Sequence, residues 1–363
     1  MSVVRPFAET DISQVADLHR RVFLGGAPQA ASAAQLQAYR RYFSDVFLNP
    51  TLDSGAVGSL VYESRDRILG FLGVMPRRMR FKSKPALMAV CTQFAVDPAG
   101  RGQVGLRLLK HCFAGPQDLT VSDEAGDGTR TIWEWCGGET VLPMSMHWIR
   151  PLRPAQLAMA LLAERASLPR LAGMAASLAR PVDALLRTQV PALRPSSPTG
   201  SREEFDGSTF PAALAGIAWA PALGPDYDAR SAAWAIERAG TRPGHGRVRA
   251  FVVRGGDASI NGWFAYCISG NRIGEVLQVA ARPPAAGQVL DHLLDDAMQQ
   301  RAVAVSGRLA PSLVAPLSDR QALFYRGNHW MLVHSARPDL RYAVQRGDAL
   351  LTRLEGEWCL RFP

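Results

Sequence analysis

The stretch of this 363-residue chain best suited to chemistry is a glycine-rich turn between an apolar run and an amphipathic one. It lies between Cys91 and Lys110. The apolar run stops at Asp97-Pro98, Gly100-Arg101-Gly102 follows, and leucines at helical spacing begin at once. A helix starting directly after a strand aims unpaired backbone N–H groups at one point, and its dipole adds partial positive charge there. A pyrophosphate suits such a site, glycines let it approach the backbone, and Arg101 can add a charge-assisted contact. Further along stand the carboxyls Asp123, Glu124 and Glu134, and in the second half Tyr325, His329 and His334. All six are of types that exchange protons or hydrogen-bond a substrate.

The elements that position these groups can be read from periodicity. Val3 to Arg5 is a short β-type run, and Thr10-Asp11 offers cap chemistry to a helix with Ile12, Val15, Leu18 and Val22 on one face. A second helix is expected over 34–47, then strands over 59–63, 68–75 and 87–96 as an antiparallel meander. Next come a helix over 104–113, a strand over 119–122, a helix of about ten residues stopped by Gly137, and a strand over 144–149. Strands mixed with helices in this order predict an α/β (α+β) layered domain over residues 1–153.

Residues 154–200 differ. Leucines and arginines alternate among alanines, which reads as a helical connector docked between domains in preference to a basic helix lying on a membrane. Pro169 and Pro181 are expected to break it, and Pro195 to Gly200 to act as a linker. Residues 201–363 repeat the order of the first half without repeating its residues, which suggests an internal duplication. Strands are expected near 248–253, 263–267, 272–281 and 302–306, a helix over 288–298, and a helix–strand region over 323–333. The stretch 347–358 reads as strand, polar turn and last strand.

Bulk properties narrow the classes. A 47% hydrophobic share supplies a real core, and the net charge of +9 comes almost wholly from arginine, lysine occurring only at 82, 84 and 110. No basic run interleaved with aromatics tracks a nucleic-acid strand, so a nucleic-acid partner is not expected. Five widely spaced cysteines form neither a zinc pattern nor a disulfide framework, so no metal is expected. The opening residues lack a charged-then-apolar signal, and no apolar run reaches the length of a membrane span, so a cytoplasmic location is expected.

The run Val96-Asp97-Pro98 followed by Arg101-Gly102-Gln103-Val104-Gly105-Leu106 resembles the central motif of the GNAT (Gcn5-related N-acetyltransferase) superfamily. There a V-x-P strand end precedes an R-G-x-G-x-G/A turn; Val104 and Leu106 stand here at the second and third small positions. The resemblance covers residues 1–150, and more weakly the second half. It implies two GNAT-like mixed sheets joined by the connector, the second a degenerate copy, since Pro283 and Pro284 occupy its turn. It implies acetyl-CoA or another acyl-CoA as donor, with Phe94, Ala95 and Val96 facing the pantetheine and residues 101–106 the pyrophosphate. The acceptor implied is an amine on a small molecule or sugar. In the family a tyrosine on the helix after the fifth strand often serves as acid, and Trp133 stands there. Asp123, Glu134 and Tyr325 are the catalytic candidates, with Glu124 beside them. Two alternatives accompany this reading: a Fem-type transferase using aminoacyl-tRNA, and a non-catalytic acyl-CoA-binding or interaction protein.

Overall fold

The computed structural model describes residues 2–25, 32–49, 57–100, 103–165, 169–194, 196–205 and 221–362, without the side chains of 99, 164–165, 169–178 and 192. Two mixed sheets, each flanked by helices, form the molecule.

In the first sheet, β1 (Ser2–Pro6), β2 (Leu60–Ser64), β3 (Arg67–Phe81) and β4 (Lys84–Val96) run as an antiparallel meander. β5 (Leu119–Ala125) then pairs in parallel with β4. Alternation along the strands sorts side chains between two faces. Met88 and Val90 join a core with α1 (Ile12–Phe23) and α2 (Ala33–Phe47). Ala89 and Cys91 join one with α3 (Gln103–Phe113) and α4 (Asp127–Trp135).

The sheets do not follow the expected halves. The strand read as closing the first series, β7 (Met146–Pro151), leaves the first sheet and pairs with β13 (Ala304–Arg308) in the second. In return β15 (Trp330–His334) pairs with β5 and with the short β6 (Glu139–Thr140) in the first. The first sheet is ordered β1-β2-β3-β4-β5-β15-β6. The second is ordered β8 (Ser201–Glu204), β10 (Arg249–Arg254), β11 (Ile260–Ile268), β12 (Ile273–Ala281), β13, β7, β14 (Leu323–Arg326). Position for position the orders match, each sheet borrowing its sixth strand from the other half of the chain. β9 (Leu223–Pro225) pairs with the far end of β3. A helix α7 (Ala229–Gly240) covers one face of the second sheet and α8 (Ala286–Gln299) the other.

The connector forms α5 (Pro154–Arg165) and α6 (Pro169–Gln189). Pro169 begins a helix as expected, whereas Pro181 lies inside α6 and does not end it. Buried Asp183, two residues on, accepts hydrogen bonds from Ala155 N at 2.8 Å and Gln156 N at 3.1 Å, tying α6 to the open end of α5. No helix among the described residues is long and apolar enough to cross a membrane. Two further expectations fail: residues 323–333 contain two strands and no helix, and 347–358 forms no strand. Between α9 (Pro338–Gln345) and the end, the chain makes an isolated parallel bridge from Ala349 to Leu223 of β9 and then crosses the faces of both sheets. Its short 3-10 turn Glu357–Leu360 puts Trp358 and Cys359 into the core of the second sheet and Leu360 into that of the first.

Interlocking is completed by a buried ion pair. Arg308 of β13 reaches Asp123 of β5 at 2.5 Å and donates to the Asp123 carbonyl at 2.9 Å. Removing one member of such a pair strands a buried charge. Arg308→Met is expected to lower the unfolding free energy by about 3–5 kcal/mol, and adding Asp123→Asn to recover part of it. Urea unfolding of the two variants checks this; a double variant no more stable than the single one refutes it.

Candidate functional site

The site begins where two strands part. β4 and β5 pair at Met88–Leu119, Ala89–Thr120 and Val90–Val121, and beyond these three steps β4 runs on to Val96 and β5 to Ala125 unpaired with each other. The cause lies in β4. Thr92 opposes Gly73 and Ala95 opposes Phe71, so Gln93 and Phe94 together face the single residue Leu72. Gln93 takes a left-handed φ of 49° to achieve this. Such a bulge bends its strand and sharpens its twist, turning β4 away from β5.

The gap opens a cavity of about 430 Å³ that reaches both faces of the sheet. His19 and Phe23 line it from α1 on one face, Thr129 and Trp133 from α4 on the other. Thr92, Gln93 and Phe94 form the β4 wall, Ser122 and Glu124 the β5 wall, and the tail closes it with Glu357, Arg361 and Phe362. The Thr92 hydroxyl is buried there with no hydrogen-bond partner among the described residues. A buried orphan of that kind favours a ligand that supplies the missing polar atom.

Glu357, a residue the sequence reading did not single out, is the strongest polar feature. Its Oε1 accepts from Ser122 Oγ at 2.6 Å, Asp123 N at 2.9 Å and Glu124 N at 3.0 Å, satisfying the edge that β5 leaves open. Asp123 answers by accepting from Glu357 N at 2.7 Å. Gly356 permits this approach, because a Cβ there would lie 2.0 Å from Asp123 Oδ2. Burial, and next the Asp123 carboxylate, push the Glu357 carboxyl up to about 8, while the Ser122 hydroxyl and Glu124 amide pull the other way. Arg361 donates to the Glu124 carboxylate from the same tail.

On the other wall, buried His19 bonds Gln93 Oε1 through Nε2 at 2.7 Å and the Tyr39 hydroxyl through Nδ1 at 2.9 Å. Burial holds its pKa below the ordinary imidazole value, with the Gln93 bond opposing. Both ring nitrogens are engaged, so His19 fixes the bulge in place more readily than it moves a proton.

The residues expected from sequence fall in several places. Phe94, Ala95 and Val96 end β4 at the gap, and Phe94 lines it. Arg101 and Gly102 lie outside the described residues. Gln103 is exposed at the start of α3 and Leu106 half-buried, while Val104 and Gly105 are buried. Gly105 presses on β4, since a Cβ would meet the Phe94 ring at 3.2 Å. Trp133 is fully buried, donating to Val333 O at 3.3 Å. Glu134 faces away from the cavity, bonded to Arg130 and Thr140, and these partners, Thr140 first, hold its pKa low. Asp123 is buried behind β5 in its ion pair with Arg308. Tyr325 stands exposed on the edge strand β14, stacked on His147 at 5.7 Å. His329 lines the cavity; His334 stacks on Phe113 at 3.9 Å.

Comparison with solved structures identifies this architecture. A GCN5-related N-acetyltransferase from Anabaena variabilis superposes with a TM-score of 0.59 at 12% identity, over 93% of this chain and 73% of that one. One from Kribbella flavida gives 0.55 at 14%, over 92% and 71%. Eis1 from Mycobacterium abscessus gives 0.51 at 12%, over 92% and 73%. The chain has the GCN5-related N-acetyltransferase fold, carried on two sheets. At these identities the likeness is one of fold. No protein-family model matches the sequence, and no curated protein matches it.

Within that fold the two sheets differ at the equivalent gap. β12 and β13 also pair in parallel for only three steps, Ile273–Ala304 to Glu275–Ser306. Here, however, Leu351, Thr352 and Arg353 of the tail lie in the opening, and the space left is about 30 Å³. Gln278 is taken up by Trp263 at 2.5 Å and Glu355 at 2.8 Å. Prolines 283 and 284 remove donors from the turn before α8.

The raised Glu357 carboxyl has a consequence for stability. Below about pH 4.5 it is protonated whether the chain is folded or not; between about 4.5 and 8 only the folded state keeps the proton. Folded-state proton uptake in excess means stability falls as pH rises through that window, by about 1.4 kcal/mol per pH unit for one full proton. Glu355, pushed up to about 7 by burial, adds in the same direction up to its own value. Glu357→Gln is expected to flatten the slope between pH 7 and 8, measured by urea unfolding; an unchanged slope refutes the assignment.

Proposed function

We propose that the chain is an acyl-CoA-dependent N-acyltransferase acting on an amine of a small molecule or sugar. The observation that carries this is the gap between β4 and β5, a cavity lined from both faces of the sheet in the first copy and occupied by the tail in the second. Two reactants can enter from opposite faces and meet there, the arrangement that transfer between two bound molecules needs.

In this reading the donor lies along the Phe94–Val96 edge of β4, with the unpartnered Thr92 hydroxyl available to its polar atoms. Its pyrophosphate meets the N-terminal end of α3, where Arg101, Gly102, Gln103, Val104, Gly105 and Leu106 supply backbone N–H groups and one guanidinium. Val104 and Gly105 turn their side-chain positions to the core, so they contribute through the backbone. The acceptor enters on the α1 side, past His19 and Phe23.

Transfer forms a C–N bond, breaks the C–S bond, moves a proton off the amine and delivers one to the departing thiolate. Trp133 fills the position where the family often has an acidic tyrosine, and an indole N–H already committed to Val333 O is no proton donor. Glu357 replaces it in this proposal: a carboxyl with its pKa raised to about 8 carries a transferable proton near neutrality. Glu124, on the same wall, accepts the amine proton. Asp123, Glu134 and Tyr325 are assigned no chemical step, because none of them lines the cavity.

Trp133 also favours a second reading, an acyl-CoA binder without turnover. Calorimetric titration with acetyl-CoA, CoA and a long-chain acyl-CoA, followed by a thiol-release assay over an amine panel, separates the two. The enzyme reading expects saturable binding, weakened by Arg101→Ala, and thiol release that falls about 100-fold or more in Glu357→Gln with acetyl-CoA affinity unchanged. Binding with no thiol release from any amine selects the binder. Failure of all three ligands to bind removes both readings.

A further inference from the structure

A second cavity lies against the first, and its chemistry is of the opposite sign. It measures about 250 Å³ and is lined by Arg238, Thr241 and Arg242 from the end of α7 and the turn after it, and by Trp358, Arg361 and Phe362 from the tail. Arg361 and Phe362 also line the cavity between β4 and β5, so the two spaces share a wall.

Counting charges around it leaves one cation over. Arg238 faces Asp45 at 3.4 Å and donates to Arg361 O at 3.3 Å, and Arg361 is bonded to Glu124. Glu275, the remaining nearby carboxylate, is shared among His245 at 3.1 Å, Arg353 at 3.5 Å and the Trp358 indole at 3.2 Å. Arg242 has no ion pair among the described residues. Its guanidinium lies 4.0 Å over the Trp358 ring, and its buried Nη1 has no hydrogen-bond partner. A guanidinium held flat against an indole is pre-organised, with its planar fork free to take an oxyanion. Burial and, next, the neighbouring Arg361 charge disfavour the protonated Arg242, whereas Glu275 and Glu124 favour it. An anion between Arg242 and Arg361 would relieve that repulsion and supply the missing acceptor.

We infer that this cavity binds an oxyanion, a carboxylate or phosphate carried by the amine acceptor, through Arg242 with Arg238 and Arg361 beside it. The acceptor is then an amine that also bears an anionic group, anchored behind the shared wall while its nitrogen reaches the gap. The link to an acceptor rests on the acyltransferase reading; the binding of an oxyanion does not.

The test is calorimetric titration of the full chain with inorganic phosphate and, separately, with acetate, each in the presence of saturating CoA so that the α3 site is occupied. At least one should bind saturably to the wild type and at least 10-fold more weakly to Arg242→Gln, with Arg242→Lys between them and all three melting at similar temperatures. Which of the two binds distinguishes phosphate from carboxylate. In turnover, amines bearing that group should show a KM at least 10-fold below that of their neutral analogues, and Arg242→Gln should erase the preference. Saturation by neither anion, or equal binding to Arg242→Gln, overturns the inference. Oxyanion binding through Arg242 in a protein that neither binds nor turns over acetyl-CoA leaves this site standing and removes the acyltransferase reading. Acetyl-CoA turnover without oxyanion binding does the reverse.

Discussion

Everything in this molecule follows from the point where β4 and β5 stop pairing. Two parallel strands that diverge leave backbone N–H and C=O groups without partners, and in a buried sheet each orphan costs on the order of 1–3 kcal/mol. The structure resolves this with a carboxyl from the far end of the chain. Glu357 takes the amides of Asp123 and Glu124, and Asp123 takes the Glu357 amide in exchange. The gap is therefore held open by a defined set of hydrogen bonds, and those bonds require the tail to pass directly over β5.

The strand exchange accompanies that route: the tail passes from the core of the second sheet to β5 of the first, and each sheet also takes its sixth strand from the other half of the chain. The same tail crosses the second gap on its way and fills it with Leu351, Thr352 and Arg353. One segment thus closes the cavity of one copy and completes the cavity of the other. The asymmetry between about 430 and about 30 Å³ follows from a single chain path, with no large change in either sheet.

Much of this was legible in the residues. Hydrophobic periodicity located α1, α2 and α3 and the meander, and Gly100-Arg101-Gly102 marked the strand-to-helix turn that suggested the fold. What escaped detection is non-local. Nothing near Met146–Pro151 or Trp330–His334 says which sheet each strand joins, because the alternation fits either. Residues 347–358 carry a strand-like pattern, yet they form one isolated bridge, Ala349 to Leu223, and no strand. Pro181 stayed inside a helix whose neighbour Asp183 caps α5. Among the chemical groups, the carboxyls close to the turn in sequence drew attention, and Asp123 and Glu134 proved committed to Arg308, Arg130 and Thr140. Glu357 gives no local signal at all. Its role depends on a contact with β5 across more than 230 residues, as the spacing of its bond to Glu124 records. Only its position next to Gly356, where Asp123 leaves no room for a side chain, distinguishes it in retrospect.

A structural role alone does not account for a glutamate at that position. Glutamine offers the same carbonyl oxygen to Ser122, Asp123 and Glu124, and it would do so without placing an ionisable group beside the Asp123 carboxylate in a desolvated site. Burying such a group costs several kcal/mol when it is charged, which is why its pKa is pushed upward. The neutral amide would hold the gap open with less opposition. In the proposed reading, what the carboxyl adds is a proton that can leave and return near neutral pH, at the wall of a cavity lined from both faces of the sheet. On α4 the Trp133 side chain is packed tightly, with its indole N–H committed to Val333 O. In the acyltransferase reading we propose, proton transfer therefore rests on the tail, and the hydrogen bonds that fix the tail to β5 also orient the group assigned to it.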